Sequence, residues 1–153
     1  MRFAARFGLD VTMGKNRRSK GRFVGFPYNV VGSEQFAALR SPEVKLLMDL
    51  SLQYNGNNNG MLSPCYSLMS KRGWATSSLY RAYAELVHRG FLVVTRQGWK
   101  QRGRPTLVAF TWNGIDDPIK IDYDDSIKPS GTPLRYWAID KKLWKHQPTI
   151  KAP

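Results

Sequence analysis

Apolar residues recur at helical spacing in two segments of the chain, which indicates two amphipathic helices. The first segment carries the apolar residues Val44, Leu46, Leu47, Met48 and Leu50. The second carries Leu79, Ala82, Tyr83, Leu86 and Val87. Residues 55–60, rich in Asn and Gly, follow the first stripe, and Gly90 follows the second. Both signals are typical of helix ends, so we expect helices over residues 41 to about 54 and about 76–89.

Cap-forming residues mark the expected starts of these helices. Ser41–Pro42 precedes the first stripe, and Ser63–Pro64 precedes a shorter apolar segment. Serine caps helix N-termini and proline suits the first helical turn, so a helix is expected to begin at each dipeptide. Thr76 or Ser77 is expected to cap the last helix.

Two later segments are rich in strand-forming residues. Residues 91–95 and 106–112 flank a polar, basic stretch at 97–105, which predicts a hairpin with a long basic tip. Residues 61–62 are long enough for a single edge strand, and a helical turn is expected around 33–39. The predicted order is helix, short strand, helix, turn, helix and hairpin, which indicates an α+β fold.

This order of elements resembles the winged helix-turn-helix family. Residues 77–92, Ser-Ser-Leu-Tyr-Arg-Ala-Tyr-Ala-Glu-Leu-Val-His-Arg-Gly-Phe-Leu, resemble a recognition helix that leads into the first strand of a wing. Residues 21–24 through 53–60 are similar to bacterial, prophage and plasmid-associated helix-turn-helix proteins. The resemblance covers about residues 15–112. It implies a three-helix core with a short strand and a two-stranded β-hairpin wing, and a bacterial or mobile-element setting.

Charge agrees with a polyanionic partner. The 153 residues include 24 Lys and Arg and 11 Asp and Glu, a formal net charge of +13. Such an excess favours nucleic acid, and the resemblance implies double-stranded DNA as the partner. The chain divides by charge into a basic N-terminal arm (1–22), the winged domain (23–112) and a C-terminal extension (113–153).

Composition narrows the class of protein. One cysteine cannot form an internal disulfide or a Cys-rich zinc site. No apolar run approaches the roughly 18 residues of a membrane span, and the N-terminus lacks the apolar region of a secretory signal. We therefore expect a cytoplasmic, nucleoid-associated protein with no membrane partner.

The predicted recognition helix provides the first candidate site. If its apolar stripe faces the core, the opposite face carries Ser77, Ser78, Tyr80, Arg81 and Ala84. Arginine can donate two hydrogen bonds to guanine O6 and N7 in the major groove, and hydroxyl groups can reach base edges or phosphates. The alternative is a solvated helix face in a winged domain that binds protein instead.

Two further basic segments are candidate phosphate contacts. The predicted wing carries Arg96, Lys100, Arg102 and Arg104. The N-terminal arm carries Lys15, Arg17, Arg18, Lys20 and Arg22. For the wing, the alternative is solubilising charge at a turn, with Trp99 packed under the hairpin. For the arm, the alternative is a disordered solubilising tail.

Catalytic chemistry finds little support in the sequence, and we expect neither an enzyme nor a cofactor or metal. Cys65 is expected to be a small buried thiol in the second helix. An acidic group suggests a metal-dependent nuclease as a remote alternative, although self-association or screening of a basic surface is the stronger expectation. This group contains Asp116, Asp117, Asp122, Asp124 and Asp125.

The C-terminal extension is too apolar for a passive linker. Trp137, Ile139 and Trp144 are expected to pack either on their own domain or on a second copy in a homodimer. The sequence as a whole favours a sequence-specific DNA-binding regulator of transcription. The alternatives are an origin-binding replication initiator of a plasmid or phage and, less favoured, a protein-interaction module.

Overall fold

A computed structural model describes residues 21–99 and 103–139. Within these ranges the chain forms five α-helices and one two-stranded antiparallel sheet, which confirms the α+β class. The elements are α1 (Tyr28–Val31), α2 (Glu34–Ala37), α3 (Ser41–Ser51), α4 (Tyr66–Met69), α5 (Thr76–His88), β1 (Leu92–Arg96) and β2 (Leu107–Phe110). The sequence analysis missed α1. No helix in the described ranges is long and apolar enough to cross a membrane.

The start of α3 differs from the predicted serine cap. Arg40 occupies the cap position, so Ser41 and Pro42 already lie in the first turn. The Glu43 side chain accepts a hydrogen bond from the Arg40 backbone N–H at 2.5 Å and one from its guanidinium at 2.9 Å. This carboxylate is almost completely buried, and the arginine compensates its charge. The helix ends at Ser51, about three residues earlier than predicted.

The first serine–proline pair begins α3, as predicted, but the second pair does not begin a helix. Helix α4 starts at Tyr66, because Ser63 bonds to the hairpin: its hydroxyl donates to the Thr106 carbonyl at 3.1 Å. A 3₁₀ turn, Ser70–Arg72, follows α4. Cys65 therefore lies before α4 rather than inside it, and it is half-buried rather than enclosed in the core.

The cap position of helix α5 lies one residue before the predicted caps. Ala75 occupies the cap position, and its carbonyl accepts from the Leu79 N–H at 3.0 Å. Thr76 and Ser77 thus lie inside the first turn, and no side chain caps this helix end. The first backbone N–H groups of α5 consequently have no capping partner among the described side chains.

The end of α5 forms a Schellman motif. The Phe91 N–H donates to the Leu86 carbonyl at 3.0 Å, and the Gly90 N–H donates to the Val87 carbonyl at 3.1 Å. Gly90 has a φ of +81°, in the region that favours glycine. Because this turn directs the chain from α5 into β1, it determines how the helix and the hairpin are joined.

The hairpin pairs Leu92 with Phe110 at its base and Arg96 with Leu107 towards its tip. A single β-bridge joins Leu62 to Val108 on the free edge of β2. It confirms the predicted short edge strand, which is limited here to this one bridge. The main core lies between α3, α5 and this hairpin. Its largest members include Leu46, Leu47, Leu50, Leu79, Tyr83, Leu86, Phe91 and Phe110.

Residues 113–139 pack against the same unit, beyond the expected boundary at 112. Ile115 joins Val93 and Ala109 in a second buried cluster. Trp137 is 8% exposed and stacks on Phe91 at 6.3 Å between ring centroids. Of the two alternatives for this tryptophan, packing on its own chain is the one observed. Ile139 stays partly exposed, and Trp144 lies outside the described residues.

Asn59 joins three parts of the fold through buried hydrogen bonds. Its side-chain oxygen accepts from the Phe110 N–H at 2.7 Å, and its amide nitrogen donates to the carbonyls of Phe110 and Gly114 at 2.9 and 2.7 Å. Its backbone N–H donates to the Asp116 carboxylate at 2.7 Å. Asp116, expected to be part of an exposed acidic group, therefore has a structural role in attaching residues 113–139.

Two glycines with similar backbone angles allow a matched test of this packing. A Cβ at Gly90 would lie 2.6 Å from the Tyr136 carbonyl carbon, whereas a Cβ at Gly73 (φ +82°) would meet nothing within 4 Å. We expect Gly73→Ala to lower the free energy of unfolding by about 1 kcal/mol, through backbone strain alone. Gly90→Ala should cost about 3 kcal/mol, because it adds a steric clash. Urea denaturation of both variants measures the difference, and equal losses would contradict close packing of Tyr136 on Gly90.

Candidate nucleic-acid interface

Helix α5 presents one apolar and one polar face, as the sequence predicted. The apolar face is buried in the core through Leu79, Ala82, Tyr83, Leu86 and Val87. On the other side Ser77 and Arg81 are exposed, Tyr80 is 37% exposed, and Ser78 and Ala84 are half-buried. The Ser78 hydroxyl donates to the Ala75 carbonyl at 3.1 Å. The five predicted residues therefore lie together on one accessible surface.

Arg81 is the exposed cation of this face. Its guanidinium makes no hydrogen bond or ion pair with any residue in the described ranges. Arg89, near the other end of α5, differs, because it donates to Glu85 at 2.6 Å. Arg81 is thus available to an external acceptor, whereas Arg89 is neutralised within its own helix.

A buried carboxylate on α3 positions the start of α5. Asp49 is 5% exposed and accepts three hydrogen bonds: from Lys45 Nζ at 2.6 Å, Trp74 Nε1 at 2.8 Å and Arg72 Nε at 3.0 Å. Arg72 and Trp74 belong to the turn between α4 and α5. Because both bind the same α3 carboxylate, the turn is attached directly to α3, and α5 begins from a fixed point.

The environment of Asp49 favours its charged form. Burial alone would raise its pKa, but hydrogen bonds from Lys45, Trp74 and Arg72 outweigh this effect and hold the pKa below its usual value. Lys45 also donates to the Arg72 carbonyl at 2.9 Å and lies 4.8 Å from the centre of the Trp74 ring. The site is a compensated ionic cluster, half open to solvent through its two cations.

The hairpin tip is closed by backbone hydrogen bonds. The Gly98 N–H donates to Thr106 Oγ1 at 3.0 Å, and the Trp99 N–H donates to the Arg104 carbonyl at 3.1 Å. A Cβ at Gly98 would lie 2.5 Å from the Thr106 nitrogen, so the two strands approach too closely for a larger residue. The tip therefore extends from a tightly bonded stem. Two predicted tip residues, Lys100 and Arg102, lie outside the described residues.

The two described cations of the hairpin have different surroundings. Arg104 is about half exposed, with Nη2 3.6 Å from Asp124. Arg96 is half-buried, and its guanidinium donates to the Pro105 carbonyl at 3.2 Å. Burial and, after it, the charge of Arg104 lower the pKa of Arg96, although a guanidinium stays charged at neutral pH. Arg104 is consequently the better placed of the two for an external phosphate.

Asp124 ties the C-terminal segment to the hairpin. A register shift in β1 between Val94 and Arg96 leaves Thr95 outside the regular pairing, and its carbonyl accepts the Asp124 N–H at 2.8 Å. The Asp124 carboxylate in turn accepts the Gln97 N–H at 2.7 Å. This acidic residue therefore supports the stem of the tip and screens part of its positive charge.

Arg22 is the candidate residue of the basic arm that lies within the described range, and it lies away from the hairpin tip. Arg22 is exposed, and its Nη2 donates to the Tyr54 carbonyl at 2.9 Å. It borders a cavity of about 250 Å³ that is also lined by Phe110 and Trp112, at the base of the hairpin. The other arm residues, Lys15, Arg17, Arg18 and Lys20, lie outside the described residues.

The acidic group does not form a metal cluster in the part of the chain that the structure describes. No three His, Cys, Asp or Glu side chains there are placed to hold one ion. Asp116 and Asp124 instead accept backbone N–H groups. The Asn- and Gly-rich loop makes its own turn, since Asn55 accepts from the Asn57 N–H and Asn58 accepts from the Asn55 N–H.

Sequence reasoning did not assign a role to Asp49 or Trp99. The available signal for Asp49 was its position next to Leu50, as a charged residue within an apolar stripe. The alternative in which Trp99 packs under the hairpin is wrong, because this residue is 64% exposed. No protein-family model, curated protein or solved structure matches this chain.

The Asp49 cluster predicts a specific acid dependence of stability. Because the folded pKa lies below the unfolded value of about 3.9, the carboxylate stabilises the fold above that pH and loses its effect as the pH falls through the folded pKa. Asp49→Asn should lower the free energy of unfolding by about 2 kcal/mol at pH 7. The gap to the wild type should narrow below about pH 4.

Urea denaturation at a series of pH values between 3 and 7 measures this gap. The exposed Asp125, changed to Asn, is the control and should leave the stability at pH 7 nearly unchanged. A gap for Asp49→Asn that stays constant over the whole range would contradict a charged carboxylate at this position.

Proposed function

We propose that this protein is a winged helix-turn-helix protein that binds double-stranded DNA in a sequence-specific manner and regulates transcription. The observation that carries the proposal is the polar face of α5. The guanidinium of Arg81 has no partner among the described residues. The opposite face of the same helix is buried in the core. A helix of 13 residues is about 20 Å long and fits the major groove of B-DNA.

The order of elements supports the assignment of the fold. Helix α4, the turn that contains Trp74, and α5 correspond to a helix-turn-helix, and β1 and β2 correspond to a wing. Gly90 joins the C-terminus of α5 to the base of the hairpin, so both the first turn of α5 and the hairpin tip lie away from this junction. Such a topology allows both to meet one duplex.

The chemistry of the α5 face suits readout of bases. Arg81 can donate two parallel hydrogen bonds to guanine, and the small side chain of Ala84 permits close approach of the helix. Ser77 and Tyr80 offer hydroxyl groups to phosphates or base edges. The uncapped N–H groups at the start of α5 are further donors for a phosphate, and the helix dipole favours an anion there.

The hairpin tip supplies the second part of the proposed interface. Arg104 is about half exposed there, and Lys100 and Arg102 add positive charge in the sequence. Lysine and arginine side chains that neutralise phosphates contribute affinity without sequence preference. We therefore assign base readout to α5 and backbone binding to the tip.

The regulatory role rests on the resemblance to bacterial and mobile-element helix-turn-helix proteins. A replication initiator of a plasmid or phage would use the same interface. Genome-wide binding footprints separate the two, because promoter sites support regulation and an origin site supports initiation. A protein-interaction role would instead give no shift of duplex DNA at 50 mM salt.

The assignment of Arg81 predicts a change in sequence preference. Selection of bound duplexes from a random pool should yield a defined site for the wild type, and an inverted repeat would indicate binding as a homodimer. Arg81→Gln should lose about 1–3 kcal/mol on that site and relax one or two positions, because its bidentate contact is removed.

The matched control is Arg135→Gln, which removes the same charge. Arg135 is exposed and immediately precedes Tyr136, the residue packed against Gly90 at the far end of α5. This variant should keep the selected sequence. An unchanged site for Arg81→Gln would show that Arg81 does not read bases.

The assignment of Arg104 predicts a change in salt dependence. Affinity for the selected duplex should fall linearly with salt on a log–log scale, with a slope of roughly −0.9 for each neutralised phosphate. Arg104→Gln should make the slope shallower by about 1 and weaken all duplexes to a similar extent. Titrations between about 50 and 200 mM salt measure the slope, and an unchanged slope would exclude a phosphate contact at Arg104.

A further inference from the structure

Trp99 differs from the other tryptophans of the described residues. Trp74 and Trp137 are buried, and Trp112 stacks on Phe110 at 4.4 Å between ring centroids. The Trp99 side chain is 64% exposed and has no apolar partner in the described core clusters. Its indole ring is therefore accessible to another molecule.

The backbone around Trp99 holds this ring on a fixed stem. The Trp99 N–H is bonded to the Arg104 carbonyl, and the preceding Gly98 and Gln97 N–H groups are bonded to Thr106 and Asp124. Three consecutive N–H groups are therefore bonded, two to the opposite arm of the hairpin and one to the C-terminal segment. A backbone held in this way loses little conformational entropy when the tip binds.

A positively charged side chain lies beside the exposed ring. The guanidinium carbon of Arg104 lies 5.8 Å from the centre of the Trp99 ring, close enough for a cation–π contact. Asp124 offsets part of that charge at 3.6 Å. Lys100 and Arg102 follow in the sequence. The described surface combines an aromatic plane with the guanidinium of Arg104, and its most complementary ligand carries planar rings next to phosphates.

We infer that Trp99 stacks on a nucleobase of the bound DNA, at a step where the duplex is opened or a base is unpaired. This inference rests on the proposed function and extends it: the hairpin tip would recognise distorted DNA as well as phosphates. Stacking on aromatic side chains tolerates every base, because each base has a π-face. An apolar protein partner is less suited to this ring, since docking would desolvate the adjacent guanidinium of Arg104.

Two duplexes and three variants test the inference. The duplexes have the same sequence, and one carries a single unpaired base at its centre. The wild type should bind the bulged duplex about tenfold more tightly, within the range expected for one stacked base. Trp99→Ala should abolish this preference while keeping its affinity for the intact duplex within about twofold. Trp99→Phe should retain most of the preference, because a smaller ring still stacks.

Tyr28→Ala is the matched control, since Tyr28 is 89% exposed and lies on α1, outside the proposed interface. It should behave as the wild type on both duplexes. Thermal melting of each variant verifies the fold, and removal of an exposed ring should leave the midpoint nearly unchanged. Quenching of tryptophan fluorescence by the bulged duplex, reduced in Trp99→Phe, provides a second readout of stacking.

The outcomes distinguish this inference from the proposed function. Equal binding of both duplexes by the wild type, or an undiminished preference in Trp99→Ala, would overturn the role of Trp99 and leave duplex binding intact. Absence of binding to either duplex at 50 mM salt would overturn the proposed function itself. A preference that is lost in Trp99→Ala and kept in Tyr28→Ala supports the inference.

Discussion

The position of α5 depends on one buried carboxylate. Asp49 belongs to α3, yet two of its three donors, Arg72 and Trp74, come from the turn that leads into α5. Burial of a carboxylate is unfavourable unless hydrogen bonds and opposite charges compensate the lost hydration. Asp49 accepts three hydrogen bonds at 2.6–3.0 Å. The cluster thus fixes the start of α5 relative to α3. It therefore also fixes the direction in which the polar face with Arg81 points.

The hairpin is supported in a different way. A two-stranded sheet is marginally stable by itself, and this one is covered on both faces. The main core packs against Leu92, Val108 and Phe110, while Ile115 and its neighbours cover Val93 and Ala109. Hydrogen bonds from Asn59 and Asp124 attach the covering segment at two separate points. A stable stem permits the tip to project into solvent.

Local patterns predicted the elements better than their ends. The apolar spacing of α3 and α5 identified both helices, because the core determines which residues are buried. The predicted serine and threonine caps were wrong at three helices. Arg40 and Ala75 occupy the cap positions of α3 and α5, and Ser63 bonds to the hairpin instead of capping α4. Only tertiary structure could show that Ser63 bonds to Thr106, 43 residues away.

The candidate site shows the same division. The α5 face followed from periodicity alone, whereas the exposure of Trp99 and the screening of Arg104 by Asp124 required the fold.

The covering segment also bears on how this chain can be shortened for experiments. Cleavage after residue 112 would strip the outer face of the sheet and leave Val93 and Ala109 in water, beside a Phe91 ring that had lost Trp137. Such a fragment would retain every residue of the proposed interface and yet be prone to aggregate. A minimal fragment that keeps the proposed interface should therefore extend at least to residue 139.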